Sequence, residues 1–375
     1  MNKIKKNTIK KILMLNYEFP PLGGGAANAT YFILKEFSKK SNLKIDLVTS
    51  SIDKFKKEKF CDNITIHYLN IGKKGNLHYQ SNKDLLSYSF KAYIYSKKLI
   101  KKKKYDLIHA FFGIPCGYIA MKLGLPYIVS LRGSDVPFYS KRFKLLDKLF
   151  FKKLSKTIWK KAKFVLCNSK GLKELAIKSS PKQKIGVICN GVDIKKFKPV
   201  IKKQTNKQLV LISTGRLIFR KGYQYLIPAL KNLNIKLQLI GDGNLLNELK
   251  ELSKKNKINV EFLGKKNHSE IINYLQKSDV FILPSLNEGM SNSILEAMSC
   301  ALPIITTNVG GSFELIKNNG FIVKKESILE LRKVIKKYLN DKELIKKHGL
   351  TSRKIAEKMS WEKIANDYWR IYNLK

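Results

Sequence analysis

Two glutamates, Glu288 and Glu296, stand with seven residues between them in the stretch FILPSLNEGMSNSILEAMSCALPIIT. A carboxylate accepts hydrogen bonds and donates none, so such a pair suits sugar hydroxyls, a ribose diol among them. Gly289, Met290 and Ser291 follow the first glutamate at the expected start of a helix, where backbone N–H groups without a helical partner suit a phosphate. Upstream, STGRLIFRKGYQYLI sets Arg216 after a glycine and Lys221 before one. Two cations at a strand–helix junction can clamp a diphosphate. Plainer accounts exist for each group. Ser293 and Glu296 fit the spacing of a capping box, Glu288 fits a solvated loop, and Lys221 and Arg220 fit solvent-facing charge. Arg216 is the hardest to read as surface charge, because only seven of the 74 basic residues are arginine.

The elements that must position these residues are legible in the apolar runs. VFIL at 280–283 ends at Pro284 and reads as a buried parallel strand. SNSILEAMSC places Ile294, Leu295 and Met298 three to four apart, as a helix does, and PIIT at 303–306 is the next strand. Glu288 and Gly289 therefore lie just past a strand's C-terminal end, where open parallel sheets bind ligands. Strands are also expected at 10–17, 44–50, 64–69, 106–111, 126–131, 164–169 and 184–189, then at 209–214, 235–240, 258–263 and 321–323. Helical segments separate most of them, so the fold class is α/β, with two doubly wound Rossmann-like domains. A chain of 375 residues accommodates two. The expected bounds are 1–196, a linker at 197–207, a second domain at 208–358 and a helical tail at 359–375.

The net charge of +46 nominates nucleic acid or an anionic membrane as a partner. Scarce arginine argues against nucleic acid, since Arg reads base edges and stacks. The lysine excess also fits a general composition bias. KRFKLLDKLFFKKLSKTIWKKAKF (141–164) alternates lysine with apolar residues at helical spacing, which fits either a membrane-surface helix or a core-facing helix with a solvated side. The five widely spaced cysteines fit a reduced, cytosolic protein and neither a disulfide framework nor a metal site. No run reaches the roughly 20 apolar residues of a membrane span, and the apolar stretch at 12–15 is short for a signal peptide.

Glu288 and Glu296, followed by Ala297-Met298 and a small-residue turn into a strand, resemble the E-x7-E motif of the family 4 retaining, nucleotide-sugar-dependent glycosyltransferases, whose two-domain fold is the GT-B type. The resemblance spans nearly the whole chain and is strongest over 209–323. It implies that Arg216 and Lys221 match the pyrophosphate-binding pair, that Glu288 holds donor-sugar hydroxyls and that Glu296 holds the ribose. Gly24 and Gly25 match a glycine loop that abuts the donor diphosphate. Gly264 and Lys265 match a turn that meets the nucleotide base, and Gly289, Met290 and Ser291 complete the donor loop. Relatives often carry His where this chain has Arg132, and a second His where it has Phe111. Arg132 is therefore expected to stabilise phosphate or acceptor, with His109 and Asp135 on the acceptor side, although a lone His109 also fits a structural role.

Both domains are then expected to present strand ends to one cleft, with the C-terminal helix crossing back to the first. The implied reaction moves a hexose-type sugar from a UDP- or GDP-linked donor to a glycan, lipid-linked or small-molecule hydroxyl. No metal is expected, since the chain has no Asp-x-Asp pair. The implied location is cytoplasmic, with peripheral attachment at the inner face of the cell membrane through 141–164. Two other readings stay open: a GT-B epimerase or phosphorylase, and a non-catalytic protein that binds polyanions or membranes.

Overall fold

The computed structural model describes residues 9–374, apart from 74, 76, 78, 79, 140–144, 146 and 201–207. Most of the expected linker and the start of the 141–164 segment thus lie outside the described residues. The chain divides into two compact units, Met1–Cys189 with Ile364–Lys375, and Asn190–Lys363.

In the first unit the strands are β1 (Lys10–Leu15), β2 (Leu43–Ser51), β3 (Lys56–Cys61), β4 (Ile64–Asn70), β5 (Leu107–Phe111), β6 (Tyr127–Leu131), β7 (Phe164–Cys167) and β8 (Gly186–Val187). They form one sheet in the order β3-β4-β2-β1-β5-β6-β7-β8. β1 is buried against both neighbours, with Ile12 opposite Ile45 and Met14 opposite His109. The near-continuous apolar runs of β1, β5 and β6 follow from helices covering both faces of a parallel sheet. β3 escapes the sequence reading. Its residues, KKEKFC, are charged and half-exposed because it is an antiparallel edge strand paired only to β4. The expected strand at 184–189 shrinks to Gly186–Val187 at the other edge. The helix Trp361–Asn373 supplies Tyr368 and Tyr372, both buried, to this unit.

In the second unit the strands are β9 (Leu209–Thr214), β10 (Ile235–Ile240), β11 (Asn259–Gly264), β12 (Val280–Leu283), β13 (Ile304–Thr307) and β14 (Gly320–Val323). The sheet is wholly parallel, in the order β11-β10-β9-β12-β13-β14. The chain runs outward from β9 to β11, returns to lay β12 beside β9, and then runs the other way. The reversal therefore falls between β9 and β12. Leu211, Leu237, Val280, Ile282 and Ile305 form the buried face, packed by Leu226, Leu249 and Ile335 from the helices Tyr223–Ala229, Leu246–Lys255 and Ile328–Asn340.

Residues 190–197, grouped with the first domain or the linker on sequence grounds, make their contacts inside the second unit. Val192 N–H bonds to Met359 O at 2.9 Å, and the Arg353 guanidinium donates to the carbonyls of Ile194, Phe197 and Ser299 at 3.2, 3.0 and 2.9 Å. A guanidinium carries several donors in one plane, so it can gather three carbonyls that no helix or strand satisfies.

Candidate functional site

In an open α/β sheet the crevice for a ligand opens where the strand order reverses, beyond the strands' C-terminal ends. In the second unit that place is filled by two loops, 215–222 after β9 and 284–291 after β12. Their backbones are laced together. Leu286 N–H bonds to Arg220 O at 2.8 Å, and the segment after β13 joins the second loop through Gly311 N–H to Gly289 O at 2.6 Å. Gly222, at φ 76°, packs so close to Pro284 that a Cβ would sit 2.0 Å from its carbonyl oxygen. Gly310, at φ 56°, would place a Cβ 1.5 Å from Glu288 O. No side chain fits either gap.

Inside this scaffold Lys221 Nζ donates to Glu288 Oε1 at 2.5 Å, and Ser285 Oγ donates to the same oxygen at 2.8 Å. Both ionic side chains are buried, each 11% accessible. Burial alone would raise the Glu288 carboxyl. The charges of Lys221 and Arg220, with the two hydrogen bonds, outweigh it and hold the group below its ordinary range. Arg220, read from sequence as solvent-facing, is half-buried and acts on this carboxylate. The correction comes from the left-handed turn at Gly222, which folds the short helix Phe219–Lys221 back toward Pro284. Arg216 is exposed on the same loop. That loop rests on the turn after β10 through Gly215 N–H to Ile240 O and Leu217 N–H to Asp242 O, both 2.9 Å.

The helix Asn292–Ser299 is capped by Ser291, whose Oγ accepts from Ile294 N–H at 3.4 Å. The capping box that Ser293 and Glu296 would make is thus not formed, and Glu296 is left for other work. His268 Nε2 lies 3.9 Å from its Oε1. Burial, only partly offset by Lys196, pushes the Glu296 carboxyl up to about 8, while burial and the Lys196 charge pull His268 down. Met290 and Ser291 are buried. Asn190 reaches this loop from the start of the unit, with N–H to Met290 Sδ at 3.3 Å and Nδ2 to Asn292 Oδ1 at 2.7 Å. Sequence reasoning missed Ser285, Asn190 and His268. NGVD was a visible motif at 190–193, but nothing local ties its asparagine to a loop a hundred residues away. Gly264 and Lys265 end β11 exposed. Lys265 lies 3.5 Å from Asp242 in a solvated pair, which stabilises little.

The first unit treats its candidates differently. Gly24 precedes the helix Gly25–Phe37, which begins without a side-chain cap, and both glycines are exposed. His109 is wholly buried, bonded to Tyr372 Oη at 2.6 Å through Nδ1 and to Ser130 Oγ at 2.8 Å through Nε2. Burial and the neighbouring Arg132 keep it neutral. It joins the sheet to the C-terminal helix. Asp135 is likewise committed, accepting from Gly113, Arg132 and Gly133 N–H at 2.7, 2.9 and 2.8 Å. It clasps two loops. Arg132 stacks on Phe111, 4.8 Å from the ring centroid, and donates to Tyr368 Oη at 3.2 Å. Ser169 caps the helix Lys170–Ser179 through Leu172 N–H.

Comparison with known proteins gives this geometry its context. Residues 23–196 match the Glycosyltransferase Family 4 model and residues 193–355 the model for Glycosyl transferases group 1. An uncharacterized glycosyltransferase of Methanocaldococcus jannaschii is 28% identical over 97% of this chain and 98% of its own. The UDP-Gal:alpha-D-GlcNAc-diphosphoundecaprenol alpha-1,3-galactosyltransferase of Escherichia coli is 35% identical over 66% of this chain and 70% of its own. Among solved structures, sucrose-phosphate synthase from Thermosynechococcus elongatus shares the fold with a TM-score of 0.84 over 97% of this chain and 98% of its own, at 20% identity. With two adjoining family models from residue 23 to residue 355, two parallel-sheet domains of the GT-B type and the E-x7-E glutamates on the loop and helix after β12, this chain belongs to the family 4 glycosyltransferases.

Proposed function

We propose that this glycosyltransferase moves a hexose-type sugar from a nucleoside diphosphate to a hydroxyl of a glycan, lipid-linked or small-molecule acceptor, with retention of anomeric configuration, in cell-surface polysaccharide or glycolipid synthesis. The observation that carries the reading is the buried Lys221–Glu288 pair, with Arg220 beside it, at the strand-order reversal. Lys221, Arg220 and Arg216 bring three positive charges to one loop and Glu288 one negative. The surplus of two balances the charge of a sugar-nucleotide diphosphate. As the glycosidic bond breaks, negative charge grows on the leaving diphosphate, and fixed cations in a dry site stabilise it without reorganising.

Glu288 spends Oε1 on Lys221 and Ser285, and its role here is to accept donor-sugar hydroxyls at Oε2. Glu296 accepts the ribose diol. The nucleotide is uridine or guanosine diphosphate, and the E. coli relative's UDP-linked donor favours uridine. Fixed protein charge takes the place of a metal ion. Activity that persists after exhaustive chelation is the expected result, and NMR of the product anomer tests retention. No helix among the described residues is long and apolar enough to cross a membrane. Exposed Leu149 and Phe150 beside Lys148 and Lys152 support peripheral docking of the 141–164 segment.

The ribose assignment has a proton signature. With its carboxyl raised to about 8, Glu296 holds a proton at neutral pH that the unfolded chain has lost. Stability of the ligand-free protein should therefore fall as pH rises from the ordinary glutamate range to about 8. A diol donates hydrogen bonds, so it binds the ionised form. Donor binding should release a proton at pH 7 and tighten as pH rises toward that value. Calorimetry in buffers of different ionisation enthalpy reads the proton directly. Glu296→Gln should abolish the release and weaken donor binding by about ten- to a hundredfold, the worth of one charged hydrogen bond. Proton release that survives this substitution would count against the assignment.

A further inference from the structure

We propose that the helix Asn82–Lys102 of the first unit is a second docking surface for an anionic lipid bilayer, separate from the 141–164 segment. One face of this helix is core: Tyr88, Ala92, Ser96 and Leu99 are buried. The opposite face carries Leu86, Phe90 and Ile94 at four-residue spacing, 72%, 69% and 38% exposed. A water-facing helix side normally carries polar residues. Three large apolar side chains in one exposed row mark a surface with a partner. Polar charge brackets the row along the same face, with Lys83 before it and Lys97 and Lys101 after it, all exposed. Lys91, Lys98 and Lys102 flank it.

Charge decides which partner fits. The helix has one acid, Asp84, and that carboxylate is bonded to Lys73 at 3.0 Å and to the Ser81 N–H at 2.9 Å. A second copy of this chain across a twofold axis would set lysine rows against each other. A bilayer with anionic headgroups accepts the apolar row at the acyl boundary and the lysines at headgroup level, where they are attracted to the surface. The lysine stems reach along the helix while their ammonium groups stay in water. The helix lies along the surface and does not span it.

The inference rests on the exposure and charge of this helix and not on the sugar-transfer reading, so the two can fail separately. The test is co-sedimentation of the full chain with large vesicles of phosphatidylcholine alone or mixed equally with phosphatidylglycerol, at 0.1 and 0.5 M salt. The expected result is binding to the mixed vesicles at least about tenfold tighter than to the neutral ones, weakened by salt. Leu86→Ser/Phe90→Ser/Ile94→Ser should lose at least about tenfold of that binding. Its circular dichroism and its transfer to a water-soluble acceptor should be unchanged. Lys83→Gln/Lys97→Gln/Lys101→Gln should remove most of the salt-sensitive part. Wild-type sedimentation by the triple-serine variant would overturn the proposal. So would a wild-type dimer in light scattering that the same variant dissociates, since the row would then belong to a second copy.

Discussion

Lys221→Met should lower kcat/KM by at least about 10²–10³-fold, the usual worth of one preorganised charge at a developing anion. It should also destabilise the ligand-free protein by about 3–5 kcal/mol, because it strands a buried carboxylate. The two effects have different origins and come apart in the double variant. In Lys221→Met/Glu288→Gln no buried carboxylate is left without its lysine, and the amide can still accept from Ser285. Stability should return to within about 1–2 kcal/mol of wild type, as buried pairs replaced together often do, while turnover stays low. Urea denaturation and steady-state kinetics on the three proteins measure both. A double variant that recovers turnover would show that the pair only holds the loops.

Gly310→Ala should cut kcat/KM by about a hundredfold, the order of loss that a misplacement of about 1 Å can bring. The added Cβ would lie 1.5 Å from Glu288 O, at a φ of 56° that L side chains rarely adopt. The obstacle is backbone, so nothing local can rotate away. The 309–311 segment must move, and the 2.6 Å bond from Gly311 N–H to Gly289 O breaks with it. Glu288 then loses its register with Lys221. The control is Gly124→Ala, at φ 77° with open space around it. That change carries only the conformational cost of about 1–2 kcal/mol and should leave kcat/KM near wild type. Equal activity in the two variants would mean the 309–311 loop does not position the glutamate.

The parallel strands were legible because burial on both faces writes itself as a continuous apolar run. VFIL is a strand over 280–283, as its sequence reads. β3 was not, since KKEKFC holds its place through edge pairing with β4 and has no apolar face to announce it. The chemistry of the second unit was legible in residue types, but the ranking of neighbours was not. Arg220 and Lys221 are adjacent lysine-rich-chain cations until the turn at Gly222 turns both toward Glu288. Ser291 and Ser293 are equally good caps on paper, and only the start of the helix at Asn292 decides for Ser291. In the first unit, His109 and Asp135 carry the right chemistry for a site and are also held in internal hydrogen bonds. His109 meets Tyr372 from 263 residues away, a separation that no local pattern encodes. Arg132 and Phe111, read from sequence as two separate positions, are stacked on each other.

The claim on which this account turns is that the protein's own cations at the β9–β12 reversal grip the donor's diphosphate. Calorimetric titration of wild type and of Lys221→Met/Glu288→Gln with UDP and with uridine tests it most directly. Wild type should prefer UDP by at least about a hundredfold, from two or more charged hydrogen bonds at roughly 1.5–3 kcal/mol each. The double variant should keep its uridine affinity and lose at least about tenfold of that preference, the share of the one charged hydrogen bond that Lys221 supplies. The same preference in both proteins would contradict the account.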